Sequence, residues 1–455
     1  MSKSPRNQKG KEKIGYWLLN PISKTENLLL SLFFLLLPTQ LGKHFWPDFS
    51  IVAGIRIDYL SPTLYVTDIL LSLLFLCFLC RNYKSRPPKQ SRKNIVIAGI
   101  VFAFLLSNIF FAGRLLLGVY GFIKLCEFAF LAFYIAKTIQ SRMQLTGISL
   151  FFTIGLIFES LLAILQYINQ GSLGGLFYFF GERTFTGTTP GIANASINGI
   201  LVLRPYATFS HPNVLAAYLL VSIILVWNFI LKNDKRSLQI LGAVALFIGS
   251  IALLVTFSRV VILLWAFMAA VVLIRRIKGK VTTMRTRLIA LIVTCFSLLV
   301  IVFLPLTHEV FNRLAQTSLT DESVTERVEL VTASWKMIQQ NPIIGVGLDN
   351  YIPSLVPFQK PLPLGLYLQP VHNIFILVLA ETGVLGFGLF IVLFAKTFMR
   401  LRKQEKGIKE LLFLLLLIII ITGMFDHYWL TLQQGQLLFS LVIGLCWTKL
   451  DKSTT

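Results

Sequence analysis

A few positions in this chain join reactive chemistry to an unusual setting. Arg204 stands in Leu203-Arg204-Pro205-Tyr206-Ala207-Thr208-Phe209-Ser210-His211-Pro212-Asn213, where a polar stretch enters an apolar run. Arg259 follows Thr256-Phe257-Ser258 between two apolar runs, and Arg327 opens an amphipathic stretch. His372-Asn373 begins a further apolar run, with Glu381 nine residues into it. A guanidinium is a planar, permanently charged fork suited to phosphate. An imidazole is poised near neutrality for proton transfer. A carboxylate inside a membrane span is a functional candidate by default, and Glu381 is expected to orient His372 or pair with an arginine. His211 and Asn213, beside Arg204, are expected to contact the same ligand. Each residue also has a plainer reading: arginines at span ends snorkel to headgroups, and a histidine there can simply cap or pack. Lys124 and Glu127, one turn apart, read as a structural ion pair.

The elements that must hold these residues are membrane spans. The 455-residue chain is 55% hydrophobic and 14% charged, with mean hydropathy +0.75. Apolar runs long enough to span a bilayer recur throughout, which excludes an ordinary soluble enzyme. The net charge of +22 does not indicate nucleic acid, because the basic residues cluster between apolar runs as they do in cytoplasmic loops. Runs near 28–46, 64–80, 95–112, 115–136, 145–168, 212–231, 238–256, 259–274, 288–306, 372–395, 410–426 and 433–448 predict an all-α polytopic membrane protein of about twelve helices. With the basic tail 1–27 inside, 31 of the 42 Lys and Arg residues fall on the inner side, so both termini are expected to be cytoplasmic. No cleavable signal peptide is evident. The cysteines lie in or at the ends of apolar runs, so no structural disulfide is expected, and the Cys77/Cys80 spacing reads as packing.

Three external loops are long: about 47–63, 169–211 and 307–371. The second, rich in Gly, Thr and Asn, reads equally as a flexible lid or as disorder. The third follows helices 1–9 (28–306) and precedes helices 10–12 (372–448), with a short tail 449–455. Within it Val324, Val328, Val331, Trp335 and Ile338 recur at helical spacing, and Asn341-Pro342 ends the run. That predicts an amphipathic helix on the membrane surface or over the bundle mouth. The positive-inside bias makes arginines on the external side conspicuous, and an anionic ligand there is the simplest explanation.

Over about residues 200–395 the motifs resemble the O-antigen ligase/polymerase family. They are Arg204 to Ala217, Thr256-Phe257-Ser258-Arg259, Arg327 through Trp335, Asn341-Pro342, Gly345-Val346-Gly347 and Asn350-Tyr351, then Val371-His372-Asn373 and Ala380-Glu381-Thr382-Gly383-Val384-Leu385-Gly386. The resemblance implies a GT-C-like glycosyltransferase of the bacterial inner membrane, with a large periplasmic loop between helices 9 and 10. It also implies an undecaprenyl-diphosphate-linked glycan donor, a lipid or glycan acceptor, diphosphate-binding Arg204, Arg259 and Arg327, and His372 as base. Ligases and polymerases of the family differ in acceptor, and the motifs do not separate them.

The expected chemistry is attack by an acceptor hydroxyl on the anomeric carbon, with inversion. Arginines stabilise the departing diphosphate, and His372 takes the proton. No DxD pair occurs, and no external His/Asp/Glu group has metal-ligand spacing, so neither metal nor cofactor is expected. One rival is a polyprenyl-phosphate glycosyltransferase using Asp48 or Asp58 of the first external loop. Another is a lipid-linked oligosaccharide flippase or transporter, which would place its polar groups near the midplane.

Overall fold

The computed structural model describes residues 24–83, 92–197, 199–277, 322–359 and 367–450. The expected ninth span (288–306), the start of the third loop (307–321) and most of both tails lie outside the described residues. The chain is a helical membrane protein. Each of the other eleven apolar runs coincides with a helix: α1 (Lys24–Leu36), α2 (Val66–Asn82), α3 (Arg92–Phe110), α4 (Leu115–Thr138), α5 (Arg142–Asn169), α6 (Pro212–Lys232), α7 (Arg236–Val255), α8 (Arg259–Ile277), α11 (Ile374–Leu401), α12 (Lys406–Gly423) and α14 (Gln433–Trp447). Among the described residues, five of these (α4, α5, α6, α7 and α11) are long and apolar enough to cross a membrane by length and composition. The central helix is α6: 83% of its apolar window is buried inside the protein, against 28% for α11, which leaves α11 at the periphery.

The first run behaves differently from expectation. It was read as helical to residue 46, but α1 stops at Leu36, just before Pro38, whose ring disfavours a continuing helix. The chain then extends as β1 (Gly42–His44), paired antiparallel with β4 (Thr63–Tyr65); β2 (Ile51–Val52) and β3 (Ile55–Arg56) form a small hairpin between them.

The stretch 169–211 is neither a loose lid nor disordered. Glu182 accepts hydrogen bonds from Gln166 Nε2 (2.7 Å) and from the backbone N–H groups of Leu173 (2.8 Å) and Gly174 (2.7 Å). Gln166 Oε1 accepts from Tyr206 N (3.0 Å) and Ala207 N (2.7 Å). Strands β5 (Asn194–Ile197) and β6 (Ile200–Leu203) close the stretch as a hairpin. Polar side chains projecting from α5 thus satisfy the loop backbone, a requirement no local periodicity announces.

The amphipathic helix forms as α9 (Glu322–Gln340), packed by one side over the end of the bundle. Val328, Val331 and Trp335 are exposed, and Leu330, Ala333, Met337 and Ile338 are buried. The small Ala333 and Ser334 let α9 sit close to its neighbours, and the Ser334 hydroxyl lies 2.6 Å from that of Tyr351. Together with Val52, Ile57 and Leu60 of the first loop, α10 (Tyr351–Leu355) and the start of α11, this face makes a second core at one end of the bundle.

That core is sealed to α11 by backbone. At Gly383 (φ 60°, ψ −169°) α11 breaks, and the released groups pair with 342–347. Val346 N donates to Ala380 O (3.0 Å), Gly347 N to Glu381 O (2.9 Å) and Val384 N to Pro342 O (2.8 Å). Asn108 of α3 bridges the same carbonyls, donating to Ile344 O (2.8 Å) and Glu381 O (3.0 Å). The contact requires glycine: a Cβ on Gly383 would stand 2.3 Å from the Ile343 carbonyl carbon, and one on Gly345 2.4 Å from that of Glu381. Gly383→Ala is expected to cost at least about 1–3 kcal/mol from backbone strain alone, before the clash. A thermal unfolding midpoint unchanged in detergent would refute this.

Lys124 pairs with Glu127 (2.7 Å), as expected, and also with Asp68 of α2 (3.0 Å). The described cysteines, Cys77, Cys80, Cys126 and Cys446, are all free.

Candidate active site

His372 is positioned by the residue after it. Asn373 caps α11, its Oδ1 accepting from Phe375 N (2.9 Å) and Ile376 N (3.1 Å), a satisfaction of orphan helix donors that short polar residues provide. The Asn373 Nδ2 donates to Met424 O (3.1 Å), tying the start of α11 to the turn after α12. Two residues along that turn stands Asp426, whose Oδ1 lies 3.5 Å from His372 Nδ1. This is longer than a well-made hydrogen bond, and Nδ1 has no closer partner among the described residues.

From Asp426 a polar chain crosses the bundle. Asn213 Nδ2 donates to Asp426 Oδ2 (2.7 Å), and His427 N donates to Asp426 Oδ1 (2.8 Å). Asn213 Oδ1 accepts from Arg204 Nη2 (2.6 Å), and Arg204 Nε donates to Thr256 O (2.7 Å). The stretch Arg204 to Asn213 is therefore a built bracket. His211 caps α6, its Nδ1 accepting from Asn213 N (3.1 Å), and Pro212 occupies the first turn where its missing N–H costs nothing. Thr208 donates to Pro38 O (3.0 Å) and to Glu159 (2.8 Å). At Thr256-Phe257-Ser258-Arg259, Phe257 takes a left-handed conformation (φ 53°) that ends α7 and starts α8, with Arg259 in its first turn.

The charges of Arg259 and Arg327 both bear on Arg204. Burial lowers Arg204 to about 10, with Tyr206 and Asp426 opposing and Arg259 and Arg327 adding to the depression, so it stays charged at neutral pH. Arg327 also lies near enough to lower His211 and His427. Burial pushes His211 down to about 4 and His427 to about 3, with Asp426 working against both shifts; both rings are neutral at pH 7. Burial alone would raise the Asp426 carboxyl, but the facing His372 ring and the nearby His427 and His211 outweigh it and hold it well below the usual carboxylate range. Arg259 and Arg327 themselves are exposed, and neither has a hydrogen-bond or ion-pair partner among the described residues.

Arg204, His211, Asn213, Arg259, Arg327, His372 and Asn373 thus come together from four separate parts of the chain. Glu381 does not join them. Glu381 lies two turns inside α11, beside Asp349 and Tyr351, whereas His372 stands before the Asn373 cap; the carboxylate that faces His372 is Asp426. Three neighbours escaped the sequence reading: Asp426, His427, whose ring lies 5.1 Å from that of His372, and Tyr59 of the first loop, 5.4 Å edge-on to His427. The available signal was an Asp-His pair at the end of an apolar run.

Ligand atoms of His372, Asp426 and His427 all lie within 4.8 Å of one another, a donor set suited to a transition metal. Ligand spacing along the chain does not reveal it, because 53 residues separate His372 from Asp426.

Residues 244–391 match the family model described as O-antigen ligase. The match covers 148 of the 455 residues. No curated protein matches the chain. The O-antigen ligase match holds Arg259, Arg327 and His372 but leaves Arg204, Asn213, Asp426 and His427 on either side of it. The matched segment therefore holds only part of the cluster, and the rest comes from the stretch leading into α6 and from the turn after α12. The matched family implies a membrane enzyme of the glycosyltransferase type.

Proposed function

We propose that this site transfers a glycan from an undecaprenyl-diphosphate-linked donor to an acceptor hydroxyl, at the external face of a bacterial inner membrane, within a bundle of about twelve spans. The observation that carries the reading is the unbroken chain Thr256–Arg204–Asn213–Asp426, which ends against His372, with the charges of Arg259 and Arg327 bearing on Arg204. Asp426 favours the tautomer of His372 that carries its proton on Nδ1, leaving Nε2 to accept the hydroxyl proton. The acceptor oxygen attacks the anomeric carbon as the bond to the diphosphate breaks, and direct displacement inverts that centre. Arg259 and Arg327, uncommitted to protein partners among the described residues, meet the charge that grows on the leaving group. Preorganised donors of this kind usually supply the largest catalytic term. The arginines supply the positive charge that a metal provides in other glycosyl transfers, so the reaction is read as metal-independent.

The break in α11 is the one feature that favours a transporter, since discontinuous helices mark many transport sites. Here the freed backbone groups are taken up by residues 342–347 instead of lining a cavity, so the enzyme reading stands ahead. Labelled lipid-linked donor in proteoliposomes separates the two. Glycan appearing on an acceptor, undiminished by EDTA, is the expected result. Intact donor moved across the bilayer with no transfer would replace the enzyme by a flippase. The ligase and polymerase alternatives are told apart in the same assay by supplying a lipid A-core or a second lipid-linked glycan as acceptor.

A further inference from the structure

We propose that His372, Asp426 and His427 form a binding site for a transition-metal ion such as Zn²⁺, and that its occupancy switches glycan transfer off. The donor set is two imidazoles and one carboxylate, a combination zinc accepts while keeping its fourth position open. In a tetrahedral site with bonds near 2.0–2.1 Å, neighbouring ligand atoms stand about 3.4 Å apart. The separation of His372 Nδ1 from Asp426 Oδ1 is 3.5 Å. That is long for a hydrogen bond but matches two ligands on a shared ion, and the rest of the set lies within 4.8 Å.

The outer contacts point the same way. A metal-bound imidazole is normally oriented by a partner on its other nitrogen, and a ligating carboxylate by a donor on its other oxygen. The Thr431 hydroxyl lies 2.6 Å from His427 Nδ1, leaving Nε2 for an ion. Asn213 holds Asp426 Oδ2 at 2.7 Å, and Oδ1, which accepts from His427 N, keeps its second lone pair for an ion. His372 Nδ1 is shielded from solvent and has no hydrogen-bond partner among the described residues. Both His427 and Asp426 are buried, so neither is a mobile surface group that drifts near the others. The neighbouring arginines oppose a dication, and the single carboxylate offsets them only in part.

The consequence rests on the catalytic reading above. A dication on Nδ1 takes the lone pair there and shifts the ring's single proton to Nε2, which then has no lone pair left to accept the hydroxyl proton. The ion needs no place in the reaction to inhibit it.

The full chain in nanodiscs, stripped with EDTA and dialysed against ZnCl₂ alone, tests the binding. About one zinc per chain is expected, lost in His427→Ala and retained in His44→Ala, which removes an exposed histidine of the first loop. Thr431→Val, which keeps all three ligands, should weaken binding about 10-fold or more. Equal zinc in His427→Ala and the parent protein would overturn the site. In the transfer assay, zinc should reduce turnover at least tenfold and a chelator should restore it. Zinc bound without inhibition would overturn the switch but leave the site. Loss of activity on EDTA treatment, restored by zinc, would instead make the ion a working part of the enzyme; the metal-independent reading would then fall, together with the proposed inhibition.

Discussion

His372→Ala lowers the turnover of glycan transfer about 10²–10⁴-fold, the contribution a positioned general base makes. The donor KM changes little, because the arginines that hold the diphosphate are untouched. Asp426→Asn keeps the shape of the turn but removes the negative charge that faces His372 and accepts from Asn213 and the His427 backbone. Its expected effect is also on turnover, about 10²-fold, smaller than that of losing the base itself. Steady-state kinetics with a lipid-linked donor and a defined acceptor measure both. If His372→Ala turned over within a few-fold of the parent enzyme, the base would have to be sought elsewhere, and the carboxylates of the first loop, Asp48 and Asp58, would be next.

Arg259→Ala and Arg327→Ala give the second large effect. On the proposed mechanism each removes a donor that meets the departing diphosphate, so turnover falls about 10²–10³-fold. Their exposure makes this test unusually clean. Neither side chain has a protein partner among the described residues, so truncation leaves no buried group orphaned and the protein folds as before. Arg204→Ala is not equivalent. It would strand Thr256 O and Asn213 Oδ1, whose lost partners cost about 1–3 kcal/mol each when buried, and it would release Asp426 from its bracket. Loss of activity there mixes folding with chemistry. Unfolding midpoints measured beside the kinetics distinguish them: Arg259→Ala and Arg327→Ala should unfold with the parent protein and Arg204→Ala below it. Near-normal turnover in either exposed-arginine variant would remove that residue from the site.

Much of this was legible in the sequence because its signals are local. Apolar runs mark the helices, and the arginines Arg204, Arg259 and Arg327 point to the cluster proposed as the site. His372-Asn373 is legible for a reason that becomes clear in three dimensions: the asparagine caps a helix and so fixes the histidine before it. The partners of His372 were hidden, since Asp426 and His427 approach it through a contact between two helix ends and leave no periodic trace. Sequence distance alone does not separate Glu381 from His372, since one stands two turns inside a helix and the other before its cap. The stretch 169–211 looks loose because the side chains that satisfy its backbone, Gln166 and Glu159 of the preceding α5, leave no periodic trace. The close packing of α9 is made partly by Ala333 and Ser334, small residues that an apolar row does not announce.

The interlock of Gly345 with Glu381 and of Gly383 with Ile343 reaches into the history of the chain. Two stretches almost forty residues apart cannot drift independently, since a side chain gained at either position must be matched by backbone withdrawal at the other. Natural variants should therefore keep both glycines or replace the pair together with the residues opposite them.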